Sequence, residues 1–98
     1  MPQTQIFPPI HPGELLREEL EERDLSMNQL ARELHVPMNR ISAIVNGKRA
    51  VSADTALRLG RYLGTSAQMW MNLQAAYDLE VAARESGSQI EREVRLSA

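Results

Sequence analysis

The chain of 98 residues contains no cysteine and no long uninterrupted run of apolar residues. Without cysteine it can form neither a disulfide nor a thiolate metal site, and nothing points to an oxidising compartment. A membrane-spanning helix needs about 20 apolar residues in succession, and the opening MPQTQIFPPIHPG lacks the basic start and apolar run of a secretion signal. The sequence therefore predicts a cytoplasmic protein that neither crosses a membrane nor is secreted.

The residues of a catalytic site are also missing. The two histidines, His11 and His35, are far apart in sequence, and there is no glycine-rich phosphate loop. Two histidines and a chance acid are too few ligands for a zinc site. The carboxylates cluster on one exposed helix, where nothing would raise a pKa for general acid catalysis. We therefore predict no enzyme activity, no catalytic residue, no metal site and no cofactor.

Positive charge is unevenly placed in a chain whose formal net charge is -2. Residues 26–63 contain six Lys or Arg against two acids, whereas residues 1–25 contain two against six and residues 64–98 three against five. The middle segment is thus suited to bind phosphate groups, and the flanks are suited to bind a basic partner. A mixed, solvated surface explains the charges alone equally well.

Apolar residues recur at helical spacings, and the alternation typical of strands is nearly absent. We predict an all-α fold of five short helices. They cover about residues 12–23, 26 to just before Pro37, 37–46, 52–63, and 65 or 66 to beyond 81. Residues 1–11 are predicted to be an extended N-terminal arm, residues 12–83 the folded domain, and residues 84–98 a charged tail. Beyond Gly87 this tail would fray or form a short last helix.

Polar residues and glycines indicate where the helices begin and end. Ser26 followed three residues later by Gln29 is a capping box, in which each side chain accepts a backbone N–H of the other residue. Thr65 with Gln68 is a second candidate box. Gly47 and Gly64 are typical of the left-handed residue that stops a helix.

The second and third helices have the layout of a helix-turn-helix, whose second helix enters the major groove of DNA. Ala31 supplies the small residue where the helices cross, and His35 occupies the left-handed turn position, where glycine is the cheapest choice. Ile41 and Ile44, with Val45 beside them, would face inward. The predicted base-reading residues, on the opposite face, are Met38, Asn39, Arg40, Ser42 and Ala43.

Each of these outward residues suits a contact with DNA. Asn39 can pair bidentately with adenine, and Arg40 can bind guanine or a phosphate. Met38 offers an apolar contact, while Ser42 and Ala43 can meet the backbone or a thymine methyl. The predicted phosphate contacts, at helix starts or just past the third helix, are Ser26, Gln29, Pro37, Lys48 and Arg49. The alternative is an ordinary three-helix packing with solvated polar faces.

The fifth helix has an apolar stripe that contains Trp70, Leu73, Tyr77 and Val81. Such a stripe is more often core than interface. Because four helices already close one small bundle, we predict that it lies in the contact of a homodimer. Two recognition helices would then lie about 34 Å apart and read a palindromic site.

Three segments resemble the HigA-type antitoxins, a branch of the Xre-like (lambda-repressor-like) helix-turn-helix proteins. They are IHPGELLREEL, LARELHVPMNRISAIVNGKRAVSADTALRLGRYLGTS and QMWMNLQAAYDLE, within about residues 10–80. The helix-turn-helix is shared with many repressors. The combination of residues 11–14, 70–74 and 77–79 is typical of a much smaller group of proteins. The resemblance implies an antitoxin that dimerises, binds the operator of its own operon and inhibits a RelE-like (HigB-like) mRNA interferase toxin.

Two further questions are open at the level of sequence. The acidic residues of the first helix form either a solvated face or a surface that binds a basic toxin. In the second case, charge attraction would raise the rate of association. The alternatives to an antitoxin are a stand-alone Xre-type regulator without a toxin, and a structural adaptor whose helix-turn-helix no longer binds DNA.

Overall fold

The computed structural model describes residues 9–97, and these form five helices without a strand. The helices are α1 (Pro12–Glu22), α2 (Met27–Leu34), α3 (Met38–Val45), α4 (Ala53–Leu63) and α5 (Ala67–Glu93). The all-α, five-helix prediction is confirmed. Most of the predicted N-terminal arm lies outside the described residues, and residues 9–11 precede α1 without regular secondary structure. None of these five helices has the length and apolar content needed to span a membrane.

The five helices enclose an apolar core. α1 packs against α3 and α5, α2 packs against α3 and α4, and α4 packs against α5. The inward face predicted for the third helix is confirmed, because Ile41, Ile44 and Val45 are all buried. The buried apolar side chains are Leu16, Leu20, Leu30, Ala31, Leu34, Ile41, Ile44, Val45, Val51, Ala56, Leu59, Leu63 and Trp70.

One of the two candidate capping boxes forms. The Ser26 hydroxyl accepts the Gln29 N–H at 3.1 Å, and the Gln29 side-chain oxygen accepts the Ser26 N–H at 2.9 Å. The box predicted at Thr65 does not form, because Ser66 caps α5 instead. The Thr65 hydroxyl accepts the Nε1–H of Trp70 at 2.9 Å and so satisfies the polar atom of a fully buried indole.

Two glycines allow close approaches between helices that the sequence pattern did not indicate. A Cβ atom on Gly13 would overlap the carbonyl oxygen of Ile44, so glycine is needed where α1 begins against the end of α3. A Cβ atom on Gly60 would lie 2.9 Å from the amide nitrogen of Ala67, at the start of α5. Both contacts join backbones that belong to different helices.

α5 continues through Gly87 to Glu93, so the frayed tail or separate short helix expected beyond Gly87 is not found. Side-chain pairs four residues apart support this extension. Arg84 Nε donates to Glu80 at 3.0 Å, and Gln89 Nε2 donates to Glu93 at 3.0 Å. Such pairs each add a few tenths of a kcal/mol to a helix, roughly 0.2–0.5.

Candidate nucleic-acid interface

The turn between α2 and α3 has the geometry of a helix-turn-helix. His35 ends α2 at φ 58° and ψ 46°, which confirms the left-handed residue predicted there. The Val36 N–H donates to the Ala31 carbonyl at 3.0 Å and closes the turn. Pro37 follows at φ -63° and ψ 145° and directs the chain into α3. The short link thus fixes the direction in which α3 leaves α2.

α3 has a buried face and an accessible face. Ile41 and Ile44 are fully buried against α1 and α2. On the other side, Met38 and Asn39 are exposed, while Arg40, Ser42 and Ala43 are half-buried. The structure therefore places all five predicted base-reading residues at or near the surface, on a helix that tertiary packing holds firmly.

The predicted phosphate contacts lie around this helix. Ser26 and Gln29 are exposed at the start of α2, and Pro37 is exposed at the start of α3. Ser26 and Gln29 are engaged with each other's backbone in the capping box. The first-turn N–H groups of a helix have no acceptor within that helix, which makes them suitable donors to a phosphate.

The basic loop between α3 and α4 is anchored by a buried hydrogen bond. Lys48 and Arg49 are exposed in this loop. Val51, near its end, is 2% exposed, and its N–H donates to the side-chain oxygen of Gln74 in α5 at 2.8 Å. Gln74 is itself 5% exposed, and its Nε2 donates to Asp78 at 2.9 Å. Gln74 was not among the predicted site residues, because a single glutamine in an amphipathic helix gives no sign of a partner 23 residues away.

Arg40 is held by an ionic cluster that sequence analysis also missed. Its Nη1 lies 2.9 Å from Asp54 Oδ2, at the start of α4. Arg58 Nε binds the same carboxylate oxygen at 2.9 Å, and Arg58 Nη1 donates to the Leu34 carbonyl at 2.8 Å. The hydrogen bonds from Arg58 and from Arg40 hold the pKa of Asp54 below its usual range. The cluster therefore links the ends of α2, α3 and α4.

A second polar chain joins α1 to the outer face of α3. Arg17 Nη2 donates to Asn46 Oδ1 at 3.3 Å, and the Asn46 Nδ2 lies 3.5 Å from the Ser42 hydroxyl. Asn46 is exposed and follows Asn39 by seven residues, so the two lie on one helical face. This spacing was the signal in the sequence that could have added Asn46 to the interface.

The stripe predicted for dimerisation packs largely within the chain. Trp70 is 0% exposed, so it has no surface to offer a second chain. Leu73 is half-buried against the core, and the Tyr77 ring packs edge-on against His11 with centroids 4.9 Å apart. Val81 is half-buried. His11 also caps α1, because its Nδ1 accepts the Gly13 N–H at 2.9 Å.

Among residues 9–97, no group of three or more His, Asp or Glu side chains is arranged to hold a metal ion. The fold does bring together the polar residues that lie on the outer face of α3, at the start of α2 and in the basic loop. Their arrangement suits the binding of a polyanion with readable edges.

Comparison with known proteins identifies the family. Residues 16–70 match the family described as helix-turn-helix (HTH_3). Virulence-associated protein I of Dichelobacter nodosus is 54% identical over 83 residues, which cover 84% of this chain and 77% of that protein. A solved addiction module antidote protein of the HigA family from Coxiella burnetii is 52% identical with a TM-score of 0.90, covering 93% of this chain and 100% of that chain. The Pseudomonas aeruginosa antitoxin HigA, solved with the higBA promoter, is 52% identical with a TM-score of 0.89, covering 92% of this chain and 99% of that chain. The chain therefore belongs to the HigA-type antitoxins of the helix-turn-helix family.

Proposed function

We propose that this protein is an antitoxin that binds the operator of its own operon as a dimer, represses transcription and neutralises a RelE-like toxin. The observation that carries the proposal is the accessible face of α3, where Met38 and Asn39 are exposed while Ile41 and Ile44 anchor the helix. The Pseudomonas aeruginosa relative was solved with promoter DNA, which supports the same role here.

The predicted interface residues divide into base-reading residues on α3 and phosphate-contacting residues around it. Asn39 has an amide that can donate to and accept from adenine, and Arg40 can donate twice to guanine or to a phosphate. Met38 and Ala43 suit the methyl group of thymine, and Ser42 suits a base edge or the backbone. Ser26, Gln29, Pro37, Lys48 and Arg49 would position the protein on the phosphate backbone without reading sequence.

A homodimer with α5 at the interface fits the surface that this helix leaves exposed. Leu79 is 72% exposed and Ile90 is 50% exposed, and their spacing of eleven residues puts them on one face. Leu73, Tyr77 and Val81 are half-buried, and their helical spacing puts them on the other side of α5 from Leu79 and Ile90. We expect Leu79→Glu to shift the sedimentation coefficient at micromolar concentration from dimer to monomer. A wild-type monomer that binds the operator tightly would contradict the dimer.

The acidic side of α1 is proposed as the surface that attracts the toxin. Glu18 and Glu22 are exposed, whereas Glu19 is half-buried and bound to Arg23 at 3.1 Å. A toxin that acts on ribosome-bound RNA is expected to be basic, so opposite charge would speed its capture. Reversing Glu18 and Glu22 to lysine should slow association at low salt more than the matched reversal of Glu85 and Glu91, which are exposed on α5. Equal rates would remove α1 from this role.

The protein would act by binding rather than by catalysis, in the cytoplasm, where the operator and the toxin are found. The test is co-expression with the adjacent reading frame, followed by a gel shift with the DNA upstream of the gene. A purified complex, relief of growth inhibition and a shifted duplex are expected. A shift without a toxin complex would identify a stand-alone regulator, and a complex without a shift would identify an adaptor.

A further inference from the structure

In the free protein, Arg40 is engaged with another residue. Its Nη1 binds Asp54 at 2.9 Å, and its side chain is 24% exposed. Asp54 belongs to α4 rather than to the recognition helix, and its side chain is 57% exposed. The residue with the strongest chemistry for guanine or phosphate is therefore paired with a competing anion. DNA can bind this guanidinium only if it shares the guanidinium with the Asp54 carboxylate or displaces that carboxylate.

The pairing of Arg40 is incomplete. Its Nε is buried and has no hydrogen-bond partner. A buried donor without an acceptor is unfavourable, so this conformation leaves part of the guanidinium unsatisfied. An arginine that turned toward a phosphate or a guanine could use two parallel N–H groups, the geometry in which its hydrogen bonds are strongest.

Asp54 keeps a partner when Arg40 leaves. Arg58 Nε binds the same carboxylate oxygen at 2.9 Å from one turn along α4, and the Leu34 carbonyl holds the other end of the Arg58 guanidinium at 2.8 Å. The carboxylate also lies in the first turn of α4, where the helix dipole favours negative charge. Loss of Arg40 would therefore leave Asp54 compensated.

We propose that Arg40 exchanges Asp54 for an acceptor oxygen or nitrogen of DNA, so that Asp54 limits the affinity of this antitoxin for its operator. The inference rests on the proposed DNA binding and adds a specific control on it. The acceptor is either a phosphate oxygen or the O6 and N7 atoms of guanine. Exchange with phosphate would act on every duplex, whereas exchange with guanine would act on the operator alone.

The experiment measures the dissociation constant by fluorescence anisotropy for the full-length protein. The probes are a duplex from the region upstream of the gene and a scrambled duplex of equal length. The variants are Asp54→Asn, Arg40→Ala, the double variant, and Glu33→Gln as a control. Glu33 lines the same surface cleft as Asp54, so the control reports the general effect of removing one negative charge there.

Asp54→Asn should bind the upstream duplex about two- to fivefold more tightly than Glu33→Gln does, the size expected when a weak, exposed ion pair no longer competes. This extra gain should vanish in the Arg40→Ala background, because no guanidinium is then released. A gain on the upstream duplex alone would identify guanine as the acceptor, and a gain on both duplexes would identify phosphate. Thermal melts, with Asp54→Ser as a second variant, verify that each protein is folded.

Three results would overturn the exchange. If Asp54→Asn binds more weakly, the cluster is a brace that must stay intact. If its gain persists without Arg40, or only equals that of Glu33→Gln, charge alone is responsible. If the wild-type protein binds no upstream duplex, the exchange and the proposed DNA binding fail together, whereas the first two results leave DNA binding in place.

Discussion

Replacing Gln74 with methionine would break the link between α5 and the basic loop while nearly conserving side-chain volume. The Gln74 side-chain oxygen accepts the Val51 N–H at 2.8 Å, and both residues are at most 5% exposed. Methionine fills similar space but offers only a weak acceptor. The substitution would therefore leave a backbone donor buried without a good partner.

The expected loss of stability follows from that unsatisfied donor. Leaving a buried backbone N–H without an acceptor costs about 1–3 kcal/mol in the free energy of unfolding. For a domain of this size, each kcal/mol lowers the melting temperature by about 4–8 °C. Because the loop carries Lys48 and Arg49, we also expect weaker binding to DNA of any sequence.

The assay is urea unfolding followed by far-UV circular dichroism at a fixed protein concentration. Gln68→Met is the matched control, because Gln68 lies on the same helix but is exposed, and its amide donates to Asn72 at 3.0 Å. The control should change stability by no more than about 0.5 kcal/mol. If Gln74→Met is as stable as Gln68→Met, the hydrogen bond from Val51 to Gln74 does not stabilise the loop.

Three further predictions concern DNA reading and packing. Asn39→Ala should cost about 1–3 kcal/mol on the operator and nothing on random DNA in anisotropy titrations, and equal losses would exclude base reading. Lys48→Ala should weaken both duplexes alike and lower the salt slope by about 1, whereas an unchanged slope would exclude a phosphate contact. Gly13→Ala should lower the unfolding free energy by about 1–3 kcal/mol, because its Cβ would overlap the Ile44 carbonyl, and an unchanged melting curve would mean that α1 and α3 separate freely.

The local features of this fold were predictable because each depends on residues close together in sequence. The capping box needs only Ser26 and Gln29, and the left-handed turn residue was identified from the position of His35 between two short apolar patterns. The periodicity of α3 likewise separated Ile41 and Ile44, which are buried, from the outer face. Most helix starts, helix ends and buried faces therefore followed from the sequence, whereas the capping residue and the C-terminal end of α5 did not.

The contacts that tune the interface depend instead on how the helices cross. Arg40 looked like a free reader in the sequence, yet the packing of α2 against both α3 and α4 brings it within 2.9 Å of Asp54. Trp70 was predicted to contact a second chain, but packing within the chain buries its side chain completely in the core. Helical periodicity fixes which face a side chain occupies, whereas crossing angles and distances between helices decide what that face meets. The sequence by itself therefore determined a helix-turn-helix with an accessible polar face, and the tertiary structure decided which of its side chains already have partners.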